Sequence, residues 1–369
     1  MRPLLALLHK YLGLLLGLLL TVIGGSGSLL VFDHELDEVL TPVLTSEHGE
    51  TTPPSLQAVL AAAEAVAGEQ AVPYRMLLAR QSGSPHVVQF VQNSGSPGPL
   101  EVAVTPGGGR VVAVRTWGDY PMSWIYRLHM RLLSGTAGHY LVGFLGLCLL
   151  FFCVSGLLLW WPRRGRWRRA IGVKLGAGTF RFNYDLHKAI GIYLLPVLML
   201  SACTGAALVF FEPFKAGLAM LLPMDEIVVP TSTPIDGRRP LPVDQAALAA
   251  RQRFPGAEIT QILLPRKPSD SYRLSLRQAG EPWDNYGASL VWVDQYSGKI
   301  LAARNALDMS PGNSLLVWLF PLHSGDALGA TGRCLILLAG LAPGLLFATG
   351  LYLWLRKRRL SQWGQRRSA

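Results

Sequence analysis

Charge is scarce in this sequence, and the little there is lies unevenly. Only 15% of the 369 residues are Asp, Glu, Lys or Arg, while half are hydrophobic. Cysteine is scarcer still: Cys148, Cys153, Cys203 and Cys334 are the only four, each inside a long apolar run. That excludes a disulfide framework in an exported domain, and without a CxxCH there is no motif for covalent haem attachment. The cysteines read as small apolar packing residues. The signatures of soluble nucleotide-binding and hydrolytic enzymes are missing as well: there is no P-loop, no GxGxxG opening a helix after a strand, no GxSxG and no HExxH. A flavin or nicotinamide domain is not in evidence, so any redox reading needs a separate electron donor.

What is abundant is long apolar runs. Four are long enough to cross a bilayer, which takes about 20 helical residues: 11–32, 140–161, 189–211 and 334–355. The first has Arg2, His9 and Lys10 ahead of it and small residues at 24–28, as a secretory signal would. Its run is too long for a signal core and it has a mid-chain twin, so it reads as a retained helix. The net charge of +11 follows topology rather than nucleic acid. Residues 162–188 hold eight Lys/Arg against one acid, and the tail from Arg356 holds six and no acid, whereas 33–128 holds ten acids against five bases. Short basic loops stay in the cytoplasm. Both termini and the 162–186 loop are therefore expected inside, with two large segments, 33–128 and 212–322, outside a bacterial-type inner membrane.

The chain repeats itself. Residues 8–32, LHKYLGLLLGLLLTVIGGSGSLLVF, overlay 186–210, LHKAIGIYLLPVLMLSACTGAALVF, with ten identities in twenty-five. Residues 128–160 overlay 322–354 with eleven in thirty-three, setting His129 on His323 and Trp160 on Trp354. Shared leucines mean little in apolar helices, but shared histidines and glycines mean more. The expected plan is a tandem duplication: helix 1–32, outer module 33–128, bend and helix 129–161, basic loop 162–186, helix 187–211, outer module 212–322, bend and helix 323–355, basic tail 356–369. Each outer segment opens on a helical stretch. SLQAVLAAAEAVAG has Ser55 as N-cap and stops at Gly68, and LPVDQAALAARQRFPG is its counterpart. Four strand-like runs follow in each, so two small α+β modules are expected. The fold class is thus an α-helical integral membrane protein with four transmembrane helices.

Within the second module, VWVDQYSGKIL (291–301) resembles the V-D-x-x-[TS]-G-x-[IV]-L hairpin of PepSY modules, and VAVTPGGGRVVAV in the first is a degraded copy without the Asp. With four helices and an L-H-K opening to each half, the chain resembles the PepSY-associated transmembrane family, often called iron-regulated membrane proteins. The likeness covers nearly the whole chain. Some members are dihaem reductases of ferric siderophores, so the resemblance implies a haem-bearing electron-transfer protein. Its substrate would be a ferric siderophore, and its electrons would come from quinol or a cytoplasmic reductase.

Of eight histidines, His34, His48 and His86 read as ordinary polar residues; four others are duplicated. His9 and His187 fall at the cytoplasmic mouths of equivalent helices, and His129 with His323 precede the second helix of each half on the outer side. Two imidazoles on opposite faces and an apolar slot are what a b-type haem requires, and facing helices of a bundle supply them. Two b-type haems are therefore expected, with the four histidines as iron ligands. Gly13 and Gly191, one turn past His9 and His187, leave room for a porphyrin. The pairs Ser26-Gly27, Ser155-Gly156, Thr204-Gly205 and Thr349-Gly350 put small residues in every helix, suited to close helix packing, porphyrin clearance or both.

One distance is awkward. A continuous helix from His129 to Trp160 would be roughly 46 Å long, more than the hydrocarbon thickness of about 30 Å. Bends are expected at 134–138 and around Ser324-Gly325 with Gly329. His139 is then a rival outer ligand, although its repeat partner is Arg333, which could pair with a haem propionate. The other readings are a non-redox PepSY binding or regulatory protein and, more weakly, a permease. The spans hold no ionisable relay beyond His139 and Arg333.

Overall fold

The computed structural model describes residues 2–44, 55–80, 84–92, 96, 98–107, 109–162, 167–226, 228–281, 283 and 286–367. His48, Pro53-Pro54 and the 163–166 part of the basic loop lie outside them. In chain order the helices are α1 (Arg2–Leu30), α2 (Asp33–Leu40), α3 (Leu56–Ala67), α4 (Pro121–Arg131), α5 (Gly135–Trp160), α6 (Trp167–Ile171), α7 (Thr179–Tyr193), α8 (Leu195–Val209), α9 (Phe211–Ala219), α10 (Val243–Arg253), α11 (Pro311–Ser324) and α12 (Gly329–Arg367). The strands are β1 (Val72–Leu77), β2 (His86–Val91), β3 (Leu100–Val104), β4 (Val111–Thr116), β5 (Glu258–Leu263), β6 (Tyr272–Arg277), β7 (Ser289–Val293) and β8 (Ile300–Arg304). The chain divides into a helical unit (1–32, 125–214 and 322–369) and a sheet unit (33–124 and 215–321).

In the helical unit α1, α5 and α12 are long and apolar enough to cross a membrane, and α7 with α8 makes a fourth crossing if the bent pair is counted as one. Their outward leucines stay uncovered by protein: Leu15 and Leu18 of α1 are 71% and 59% exposed. Such a surface suits hydrocarbon, and this is a membrane protein. Between helices the small residues meet. A Cβ on Gly24 of α1 would run into the Gly340 carbonyl of α12, and Ser28 Oγ donates to Leu337 O at 2.9 Å. Close backbone approach of this kind is how helices associate without a hydrophobic driving force.

The third apolar run is not one straight helix. It breaks at Leu194 and bends by 59° between α7 and α8. Pro196, in the first turn of α8, has no N–H to give back to Ile192, and its ring crowds that carbonyl. The equivalent position in α1 is Leu18, and α1 runs unbroken. The expected elbows are present. Leu132, Leu133 and Gly135 take φ of 45°, 55° and 59° between α4 and α5, and Gly325 (88°) and Gly329 (56°) flank a 3-10 turn between α11 and α12. His129 and His323 therefore sit on short helices, α4 and α11, that precede the spans.

In the sheet unit the two expected modules share one antiparallel eight-stranded sheet, ordered β4-β3-β2-β1-β5-β6-β7-β8. The join is β1 against β5, with Met76 opposite Ile262. Each half supplies one helix and a four-strand meander, as read from the sequence; their fusion is a long-range pairing that local patterns do not encode. One face carries Met76, Val88, Val102, Ile262, Leu274 and Val291 in a core under α3 and α10. The two helices cap each other: Asp244 at the start of α10 accepts the N–H groups of Leu56 (2.9 Å) and Gln57 (3.0 Å), and Gln57 Oε1 accepts Val243 N–H (3.1 Å). Ser55 is the N-cap of α3, accepting Ala58 N–H, and Gly68 ends it at φ 86°. The Asp of the V-D-x-x-S-G hairpin is a turn cap: Asp294 Oδ1 accepts the N–H groups of Tyr296 (2.9 Å) and Ser297 (2.7 Å). In the first meander Thr105 stands there instead, its hydroxyl accepting Arg110 N–H at 3.2 Å.

His86 is a structural residue of this unit. It is 8% exposed on β2, and its Nδ1 accepts the Ala79 N–H at 2.8 Å, so the ring is held neutral. Burial pushes its pKa down to about 4. A base whose folded pKa is depressed stabilises the fold fully above its unfolded value near 6.5 and loses that contribution as pH falls toward 4. The loss should be about 3 kcal/mol at most, at 1.36 kcal/mol per unit. The resistance of the sheet unit to denaturation, followed in the detergent-solubilised chain, should fall from pH 6.5 to 4. His86→Asn keeps the acceptor without the titration and should flatten that slope; an unchanged slope removes His86 from the account.

Candidate functional site

Which nitrogen of an imidazole is free depends on what holds the other. Four histidines of the helical unit are each held through Nδ1, and each by a different helix. His9 of α1 meets Ser155 Oγ of α5 at 2.7 Å; His187 of α7 meets Thr349 Oγ1 of α12 at 2.9 Å. His323 of α11 meets Thr204 Oγ1 of α8 at 3.0 Å. His129 of α4 lies 2.9 Å from the Ile23 carbonyl oxygen and 3.3 Å from Ser26 Oγ, both on α1.

Counting protons fixes the direction of these bonds. A hydroxyl has one hydrogen, and these hydroxyls direct it to carbonyls of their own helices: Thr349 to Leu345 (2.7 Å), Thr204 to Leu200 (2.7 Å), Ser26 to Val22 (2.8 Å) and, more loosely, Ser155 to Phe152 (3.3 Å). The oxygens are left as acceptors, so the imidazoles donate Nδ1–H. For His129 the carbonyl partner permits nothing else. Each ring is thereby set in the tautomer whose Nε2 carries the lone pair, and among the described residues no Nε2 of the four makes a hydrogen bond.

The residue after each hydroxyl is glycine, and the ring lies against it. A Cβ on Gly27 would stand 2.8 Å from His129 Cε1, and one on Gly205 2.9 Å from His323 Cε1. At Gly156 and Gly350 the corresponding distances, to His9 and His187, are 3.5 and 3.6 Å. The Ser/Thr-Gly pairs are thus seats for imidazole rings: the hydroxyl grips Nδ1–H and the glycine makes room. Reading those pairs as helix packing or porphyrin clearance misses this. The signal was the repeat itself, which carries a hydroxyl and a glycine as faithfully as it carries the histidines.

The seats bring two of the rings together. His129 and His323 have centroids 6.2 Å apart with planes at 47°. His9 and His187 lie within electrostatic reach of each other, and His9 sits edge-on to Phe152 at 5.5 Å. Two imidazoles sharing one metal, with metal–nitrogen bonds of about 2 Å and ring centres about 1 Å farther back, stand about 6 Å apart. Among the described residues no group of three or more His, Cys, Asp and Glu converges. The donor sets are neutral imidazole nitrogens, the kind of side chain that would hold a haem iron. Around Gly13 and Gly191 the nearest atoms to an added Cβ are Phe152 at 4.0 Å and Leu346 at 3.9 Å. Packing therefore does not demand glycine there, and the residues present fit the group.

The other expected residues are placed differently. His139, entering the second turn of α5, is edge-on to Tyr140 at 5.7 Å, and its Nδ1 is buried without a hydrogen-bond partner; it is not brought into the His129–His323 pair. Arg333 reaches the end of α1, donating from Nε (2.9 Å) and Nη2 (2.7 Å) to Val31 O above the Phe32 ring. A cation there suits a helix C-terminus. His34 pairs with Asp33 at 3.8 Å in the sheet unit. Asp185 is the lone acid of the basic 162–188 stretch. It is 1% exposed and ties Arg181 (2.8 Å) and Lys188 (3.0 Å) together around the start of α7, two residues before His187.

The PepSY-associated TM region matches residues 6–357. The chain belongs to this family. The uncharacterized protein PA4219 of Pseudomonas aeruginosa PAO1 is 28% identical over 262 residues, 63% of this chain. The aligned part likewise spans 63% of that relative's length.

In this PepSY-associated membrane protein the seats can be tested without any cofactor. Gly27→Ala and Gly205→Ala force a methyl onto an imidazole and should each destabilise the detergent-solubilised protein by about 1–3 kcal/mol. Gly156→Ala and Gly350→Ala should cost clearly less. Thermal unfolding of the four variants side by side is the check, and equal losses at all four would refute the seating.

Proposed function

We propose that this chain is a dihaem electron-transfer protein of a bacterial inner membrane that reduces ferric siderophore at the periplasmic face and so releases iron. The observation that carries the reading is the uniform treatment of four histidines: Nδ1 held, Nε2 free, in two pairs. His9 with His187 would hold one b-type haem and His129 with His323 the other. When bound, the two groups supply one-electron carriers in series across the membrane. The chain's own residues do the rest. Ser155, Thr349, Thr204 and the Ile23–Ser26 turn keep the imidazoles neutral and aimed, while Gly13 and Gly191 leave a clear face beside the inner pair. Quinol or a cytoplasmic reductase would deliver the electrons. Gain of one electron lowers the charge on iron from 3+ to 2+ and weakens hard-oxygen chelation, which is why reduction frees the metal.

The same seat recurs at matching positions of the two overlaid halves, Ser26-Gly27 with Thr204-Gly205 and Ser155-Gly156 with Thr349-Gly350. That recurrence supports a tandem duplication. The basic 162–188 stretch and basic tail support cytoplasmic termini, with the sheet unit on the outer side. Reporter fusions at Lys174 and after Arg359 should read cytoplasm, and those near Ser96 and Gln278 the outer compartment. An outer signal at Lys174 would undo the inner and outer assignment of the histidines.

The deciding experiment is a reduced-minus-oxidised spectrum of purified protein with haem counted per chain. Two haems are expected, with His9→Ala or His187→Ala losing one and His129→Ala or His323→Ala losing the other. Prereduced protein mixed with a ferric siderophore should reoxidise, Fe(II) appearing in a colorimetric trap, and His323→Ala should reoxidise slowly. A colourless protein from haem-replete cells would instead favour a non-redox PepSY-type binding or regulatory role.

A further inference from the structure

The face of the sheet turned away from α3 and α10 is polar, and its polarity is unbalanced. Register places Glu101, Gln89, Arg75, Leu263, Arg273 and Trp292 in one row from β3 to β7. At the β3 end charge is matched. Glu101 accepts Gln89 Nε2 (2.7 Å), Arg115 Nε (3.2 Å) and Tyr120 OH (3.0 Å), and Arg75 Nε donates to Gln89 Oε1 at 2.6 Å.

At the β7 end, among the described residues, three buried donors have no acceptor: Arg273 Nε, Arg304 Nε and the Trp292 indole N–H. Among the described residues Arg273 makes no hydrogen bond and no ion pair, and its Nε is buried. Its charged neighbours on this face are Arg75, two strands away at about 10 Å by strand spacing, and Arg304 on β8. Arg304 gives Nη2 to Ala288 O at 3.1 Å, and its Nε is buried without a partner. Trp292 is 3% exposed, and its indole N–H is likewise unmatched. Among the described residues the acid that acts on Arg304 is Glu281, whose oxygens are already taken by Gln278 N–H, Ser289 OH and Ala288 N–H. Leaving a buried donor unmatched is costly, and this patch holds three, although the ends of both guanidinium groups stay partly exposed. A sheet retains such an arrangement when something outside the chain supplies the acceptors.

We infer that the Arg75–Arg273–Arg304 face is a binding site for a small multivalent oxyanion, its charge on carboxylate or phosphate oxygens, received by Arg273, Arg304 and the Trp292 indole N–H. Guanidinium forks suit such oxygens two at a time. The site lies wholly within the sheet unit and stands whether or not the chain carries haem.

The test uses the full chain in detergent, with citrate and inorganic phosphate titrated separately against tryptophan fluorescence and thermal unfolding. At least one should bind saturably and raise the melting temperature, and the stronger of the two identifies the oxygen chemistry. Arg273→Gln should weaken that binding at least tenfold and Trp292→Phe severalfold, while Arg277→Gln, whose cation already pairs with Glu258, should leave it unchanged. Arg273→Met should match or exceed the wild-type melting temperature in the absence of anion, because it removes an unmatched charge, and should lose the anion-induced rise. Failure of both anions to bind, or equal binding by Arg273→Gln, overturns the site. So does an Arg273→Met protein that melts lower without anion yet keeps the rise.

Discussion

A single type of hydrogen bond, imidazole Nδ1–H to an oxygen on a neighbouring helix, orders the helical unit. Each such bond joins two helices, fixes a tautomer and aims a lone pair. Because the hydroxyl donates to its own helix, it cannot turn around and donate to the ring, so the direction is built in at the cost of one residue. Its position relative to the following glycine then decides how deep the ring sits. At Gly27 and Gly205 the seat is tight, and at Gly156 and Gly350 it is looser by about half an ångström or more. The two histidine pairs are therefore held to different tolerances by the same two-residue device.

Such bonds are only as good as the helix positions that bring them together. Here membrane helices associate through small residues, Gly24 against Gly340 on one side and Gly146 against Ala206 on another. Both contacts join a helix of the first half to a helix of the second, whereas the Ser/Thr seats join helices within a half. Packing and histidine seating thus run along different helix pairs and brace each other. Short helices ahead of the spans place His129 and His323, and the elbows at 132–135 and 325–329 turn the chain so that those helices can dock against α1 and α8.

Much of this was legible in the sequence because repetition separates signal from composition. Four histidines, four Ser/Thr-Gly pairs and the elbow glycines stand out only when the halves are overlaid. The partnership of histidine with hydroxyl was not legible, since His9 and Ser155 are 146 residues apart and nothing local joins them. The break before Pro196 was visible in principle, but a hydropathy run passes over a single proline. The sheet shows the same division. Period-two patterns gave its strands, and the turn residues gave its hairpins. Pairing of β1 with β5, like the row that ends at Arg273 and Trp292, is set by register between distant segments, and alternation alone cannot supply it.

The join at the centre of the sheet bears on how the chain is made. β1 ends at Leu77 and β5 begins at Glu258, so about 180 residues of synthesis separate the two partners. At roughly 5–20 residues per second, the first meander waits some tens of seconds with an open strand edge and an unfinished core. The apolar helix α5 and the bent α7–α8 pair are made during that wait. An uncovered edge is an invitation to pair with the wrong chain, and the half-sheet is most vulnerable then. The β1 edge is therefore the part of the sheet left open longest while the chain is made.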